Sequence, residues 1–292
     1  MKFYLPDFNV FRNINGFTLD LLNSNPEYFY EEVEIGGVYG SFPGAIWNGG
    51  RLVNGFMPYQ EIEYLIKQYN QSHIPLRYTF TNSLIEEKHL YDTYCNLVME
   101  LANNGQNEVI INSPILEEYL REHYPNFKYI LSTTRCERNV DKINEATKNY
   151  DLVVIDYRDN KNMKFLEAIE NKDKIELLVN AYCNPNCPRR KEHYEAIAEL
   201  QLNYKTVDPN THSFTSCPVY QRQFYDIIGY PTVITREELY GKYTEMGFQH
   251  FKIEGRTMPI HQVIESYLYY MIKPEYIDKV RLMYLSTCIS RK

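Results

Sequence analysis

The chain has 292 residues, 44% of them apolar and 24% charged, with a net charge of −7. These are the proportions of an ordinary globular protein long enough to bury a large core. Acidic and basic residues are interspersed, which weighs against a broad nucleic-acid surface but leaves room for a local basic cleft.

No stretch approaches the roughly 18 uncharged apolar residues of a membrane helix, so no membrane insertion is expected. The first residues, MKFYLPDFNVFRNING, lack an apolar signal core and point to a cytoplasmic protein. In a reducing compartment, paired cysteines are more often metal-binding or catalytic than disulfide-bonded.

From Glu32 onward a short apolar run, a loop and an amphipathic helix alternate. The strand candidates, in chain order, are VEIGGV (33–38), PLRYTF (75–80), EVIIN (108–112), KYILST (128–133), LVVIDY (152–157), IELLVN (175–180), TVIT (232–235) and FKIEG (251–255). Their unbroken Val, Ile and Leu content suits strands covered on both faces, as in a parallel sheet. Helical patterns separate them, among them RKEHYEAIAELQ and REELYGKYTEMG, the latter opened by a capping box of Thr235 and Glu238. Eight strands alternating with eight helices predict an α/β fold, a (β/α)8 barrel of TIM type. A doubly wound open sheet is the alternative, but GGVYGSFPGAIWNGGR lacks the spacing of a dinucleotide-binding loop. The expected organisation is an N-terminal extension over 1–31, the barrel over 32–275 and a C-terminal tail over 276–292. A long irregular loop, 203–230, separates the sixth and seventh predicted strands.

Active sites of such barrels lie at the C-terminal ends of the strands. Trp47 and Arg51 follow the first predicted strand, Asp156 ends the fifth, Asn180 and Cys183 end the sixth, and Glu254 and Arg256 end the eighth. Lys252 alternates with these last two, so it points inward, toward Asp156 or an anionic substrate. His193 falls on a predicted outer helix. Cys136 ends the fourth strand, Cys187 follows Cys183, and Cys217 lies in the long loop with His212. Four such thiols could form a tetrahedral site for zinc or an iron–sulfur cluster, or could simply be small buried hydrophobes. Cys95, inside an amphipathic helix, reads as core.

The segment GFQHFKIEGRTMPIHQVIESYLYY resembles the collagenase-like peptidase family at its FKIEGR motif. VEIGGVYGSF, LVVIDYRDNKNMKFLEAI and IELLVNAYCNPNC resemble further strands of that family, so the likeness runs from about Glu32 to Met271. Its members were long described as proteases, and several are oxygen-independent hydroxylases of RNA or of a quinone precursor. The resemblance implies a [4Fe–4S] cluster held by four cysteines. Cys183 and Cys187 match the first two and Cys217 the third. The fourth position, in TREELYGKY, holds Leu239 and Tyr240, so either Cys136 substitutes or the cluster has three protein ligands.

The expected function is an iron–sulfur barrel enzyme that modifies a small molecule or RNA by a hydroxylation-type reaction. Arg51, Arg256, Asn180 and Trp47 would hold substrate, and Glu254, Asp156 and Lys252 would manage protons. A metal-binding or non-catalytic subunit of a heterodimer is one alternative, and a peptidase using a cysteine with His212 or His193 as base is another.

Overall fold

The computed structural model describes residues 1–204 and 222–289. Eight parallel strands close into a barrel in chain order: β1 (Lys2–Pro6), β2 (Glu34–Gly40), β3 (Leu76–Phe80), β4 (Glu108–Ile111), β5 (Lys128–Leu131), β6 (Leu152–Val154), β7 (Ile175–Leu178) and β8 (His250–Lys252). The (β/α)8 barrel predicted from the sequence is therefore the fold.

Two strand assignments need correction. The barrel begins at Lys2, inside the segment read as an N-terminal extension, because β1 pairs with both β2 and β8. TVIT is not a strand. Val233 and Ile234 are buried, but the run is tied to the neighbouring strand only through Ile234 N–H donating to the Val179 carbonyl at 2.9 Å. Its apolar β-branched content reflects burial in a loop. Thr235 then caps the next helix reciprocally with Glu238, as the capping box predicts.

The β1–β2 register slips at Gly36, with Phe3 opposite Ile35 and Tyr4 opposite Gly37. A side chain at Gly36 would meet the Tyr4 ring at 2.8 Å, so the glycine makes room for that ring. Residues alternate along each strand. Phe251, Leu177, Val153 and Val109 face the outer helices, while Tyr4, Tyr39, Ile110, Ile130, Leu152 and Val154 pack together inside the barrel.

Both ends of the chain belong to the packed structure. The helix Ile277–Ile289, read as a tail, packs on Arg12–Ser24 and Ile260–Met271, and the Tyr284 hydroxyl meets Thr18 Oγ1 at 2.7 Å. Tyr267 donates to Asn15 Oδ1 at 2.6 Å in the same layer. Among the described residues no helix is long and apolar enough to cross a membrane.

One helix departs from the ring. Arg190–Leu202 crosses the C-terminal mouth of the barrel instead of lying outside it. At its start Arg190 reaches Thr133 and Asp156, beyond the ends of β5 and β6. At its end Gln201 accepts from Val53 N–H at 2.9 Å and donates to the Ala45 and Val53 carbonyls, in the loop after β2. Asn82, beyond β3, donates to the Ala198 carbonyl at 3.0 Å. This helix roofs the site.

Candidate active site

A cavity of about 90 Å³ lies beneath that helix, at the C-terminal ends of the strands. Its wall brings together Tyr39, Arg51, Thr79, Tyr157, Cys183, Arg190, His193, Tyr194, Lys252, Glu254 and Arg256. The volume accommodates several water-sized groups, and thus a small ligand or the end of a larger one.

The FKIEGR segment forms one wall. Phe251 and Ile253 are fully buried outward, so Lys252, Glu254 and Arg256 turn inward, as the alternation predicts. A side chain at Gly255 would strike Pro6 at 2.6 Å, which explains the glycine between Glu254 and Arg256. Asn180 clamps this strand extension, accepting from Glu254 N–H at 2.6 Å and donating to the Glu254 carbonyl at 3.0 Å. Asn180 is thus a fully buried positioning residue, away from the cavity wall. Glu254 pairs with Arg51 and accepts from Tyr182 N–H at 3.1 Å.

Lys252 does not reach Asp156. Its Nζ stands 3.4 Å from Glu176 Oε1 and 4.1 Å from the centre of the Tyr39 ring. Glu176 in turn meets Arg77 at 2.6 Å, and Arg77 Nε donates to Glu108 at 2.7 Å. Burial pulls the Lys252 ammonium down to about 8, against the attraction of Glu176. Burial also raises the Glu176 carboxyl, but the charges of Arg77 and Lys252 outweigh it and hold the group ionised, below its ordinary range.

Arg256 has different company. It donates to Asn48 Oδ1 at 3.1 Å, Thr79 Oγ1 at 2.7 Å and the Gly49 carbonyl at 3.1 Å, all uncharged. Among the described residues it makes no ion pair, unlike Arg51, Arg190 and Lys252.

The opposite wall is built on Asp156, which is 1% exposed. Arg158 grips it with Nε at 3.0 Å and a terminal nitrogen at 2.6 Å, and Arg190 also pairs with it. Burial pushes this carboxyl up, but the hydrogen bonds from Arg158 and the charge of Arg190 reverse the shift and hold it below the usual range. Asp156 therefore lies behind the cavity wall and orients Arg190, whose guanidinium stacks 4.1 Å from the Tyr157 ring centre.

Trp47 lies in the core. It is fully buried, donates to the His89 carbonyl at 2.7 Å and packs edge-on against Phe80 and Tyr119, so its ring presents no face to substrate. Cys95 is core, as expected. His193, read as an outer-helix residue, lines the cavity because its helix is the roof. Arg190, Tyr194 and Tyr39 are the wall residues that the strand-end reading omits. The spacing of residues 190, 194, 197, 198 and 201 marks one helix face and was the available signal.

The cysteines are only partly assembled. Cys183 lines the cavity and packs on Tyr157, Leu178 and Ala181, and Cys187 follows on the same loop. Burial raises the Cys183 and Cys136 thiols above their ordinary value. Cys136 takes a left-handed backbone conformation and turns its sulfur toward the Thr134 carbonyl. Among the described residues no three of His, Cys, Asp or Glu converge as metal ligands. Cys217 and His212 lie outside the described residues. Leu239 is buried and Tyr240 donates to the Tyr270 carbonyl, so that stretch offers no fourth thiol. The described donor set does not by itself fit a [4Fe–4S] cluster.

Comparison with known proteins bears on the fold. No family model matches the chain, and no curated protein matches it. A solved structure described as that of the U32 peptidase Mk0906 is similar at 16% identity and a TM-score of 0.55, over 88% of this chain and 94% of that one. The similarity supports the resemblance drawn from FKIEGR at the level of fold.

Proposed function

We propose that this chain is a barrel enzyme acting on a small anionic substrate, bound beneath the roof helix with its negative group on Arg256. The observation that carries this reading is the Arg256 guanidinium, which faces the cavity with three neutral acceptors and no carboxylate. A charge removed from water costs free energy unless an opposite charge joins it, and an anionic ligand would supply that charge. Arg51 with Glu254, and Arg190 with Asp156, flank it as oriented polar walls, and Glu254 is the carboxylate placed to exchange a proton with bound substrate. Small carboxylates and inorganic phosphate should raise the melting temperature of the wild type and fail to do so for Arg256→Met. Equal stabilisation of both proteins would overturn the reading.

A second reading, oxygen-independent hydroxylation at an iron–sulfur centre, follows from the family resemblance. What favours it is the position of Cys183 in the cavity wall with Cys187 four residues on, and Cys217 would be the third thiol. Iron, sulfide and zinc quantified after anaerobic purification test it. Absence of all three, or iron retained when both Cys183 and Cys187 are replaced by Ala, would remove it. A thiol peptidase has less behind it. An activating histidine would lower the Cys183 thiol, yet that thiol is raised by burial.

A further inference from the structure

Lys252 stands apart from the other cations of the cavity because an amine, unlike a guanidinium, can give up its proton and become a nucleophile. Its position is fixed on two sides and open on a third. The Glu176 carboxylate lies 3.4 Å from Nζ, the Tyr39 ring lies beneath at 4.1 Å, and the side chain is 9% exposed, with that exposure opening into the cavity. Arg256 lies over the same Tyr39 ring, its Cζ 5.9 Å from the centre. An amine and a guanidinium without a carboxylate partner thus share one wall of a small cavity.

We propose that Lys252 forms an imine with the carbonyl carbon of a small oxo acid whose carboxylate rests on Arg256. This rests on the anion-binding reading above and extends it to a substrate class. The ammonium first releases a proton to solvent, and the free amine adds to the carbonyl carbon. The carbonyl electron pair moves to oxygen, which then leaves as water with two protons, one from the nitrogen and one returned by solvent, so that the product is the protonated imine. One C=O bond is exchanged for one C=N bond, and no oxidant or reductant is consumed.

The geometry favours the free amine without a dedicated base. Burial lowers the affinity of Lys252 for its proton, while Arg77, at the same Glu176 carboxylate, keeps that carboxylate from belonging to Lys252 alone. The groups facing Nζ are Glu176 from β7, Arg77 from β3, Tyr39 from β2 and Arg256 beyond β8. Two of the four are cationic, and both oppose a second positive charge between them. An imine in this seat would draw electrons from the adjacent carbon, and Glu254 on the same wall is positioned to take a proton from it.

The test uses the full chain, pyruvate as probe and borohydride to trap the adduct, with the modified lysine located by peptide mass mapping. Labelling should concentrate on Lys252 over the exposed lysines by at least about tenfold. Arg256→Met should lower pyruvate labelling by about tenfold, the effect of one lost charged contact, and should lower labelling by acetone, which has no carboxylate, much less, through the loss of a cation beside Lys252 alone. Arg256→Lys keeps the charge and should restore part of the labelling, which separates loss of the contact from loss of the fold. Calorimetric titration with pyruvate distinguishes the two levels of the argument. Arg256-dependent binding with no adduct at Lys252 would overturn the imine and leave the anion site standing. Labelling spread over surface lysines, with no binding in the cavity, would overturn both.

Discussion

Two guanidiniums carried on the barrel strands and their extensions, Arg77 and Arg256, have opposite surroundings. Arg77, deep inside, is fully buried between Glu108 and Glu176 and stacks over the Tyr4 ring at 3.7 Å. Arg256, at the mouth, has only neutral acceptors. A buried charge with its counter-charges in place is a structural unit, whose members cannot be removed singly. A charge at a cavity wall without one is instead open to a ligand.

The largest expected effect comes from breaking the satisfied unit. Arg77→Met leaves Glu108 and Glu176 buried without their cation and should destabilise the fold by about 3–5 kcal/mol in denaturant unfolding. A loss below about 1 kcal/mol would mean that water reaches these carboxylates.

The next effect lies at the lower end of the same unit. Burial pulls His250 down to about 4, so the folded protein holds it neutral, accepting from or donating to the Tyr4 hydroxyl at 2.7 Å. Between its ordinary value near 6.5 and 4 the unfolded chain binds a proton that the folded chain refuses. Stability therefore rises with pH across that window, is fully present above about 6.5 and is lost as the pH falls toward 4, on the order of 3 kcal/mol. His250→Asn should flatten that part of the stability–pH curve, and an unchanged slope would assign it to other groups.

Arg256→Met should separate the two guanidiniums most clearly. It breaks no direct ion pair and takes from the buried Asp7 only a neighbouring cation, so stability should change by about 1 kcal/mol, well short of Arg77→Met, while affinity for small carboxylates falls by about tenfold. Destabilisation as large as that of Arg77→Met would make Arg256 a second structural charge. The smallest effect belongs to a surface pair: Lys67→Ala, which removes the exposed contact to Glu63, should cost about 0.3 kcal/mol.

Much of this architecture was legible in the chain. Apolar runs marked seven of the eight parallel strands, and alternation at 252, 254 and 256 placed Lys252, Glu254 and Arg256 on the cavity side. The first strand was not legible, because KFYLP is short, aromatic and ends in proline, and only pairing with β2 and β8 makes it a strand. TVIT carried a strand's composition but not its pairing. The roof helix has an ordinary helical sequence, and nothing local distinguishes crossing a barrel mouth from lying along its side. Of its site residues, His193 was therefore placed on the wrong side of the fold and Tyr194 passed over.

The sequence by itself determined periodicity, and with it the barrel, the inward register of the last strand and the positions of the strand-end polar groups. Which charges meet across the barrel was decided only by the tertiary structure. Lys252 found Glu176 and not Asp156, Asp156 became the anchor of Arg190, and Arg256 was left without a carboxylate. The physical reason is that side-chain period is set by the local backbone, whereas ion pairing depends on distances between strands far apart in the chain, fixed only when the barrel closes.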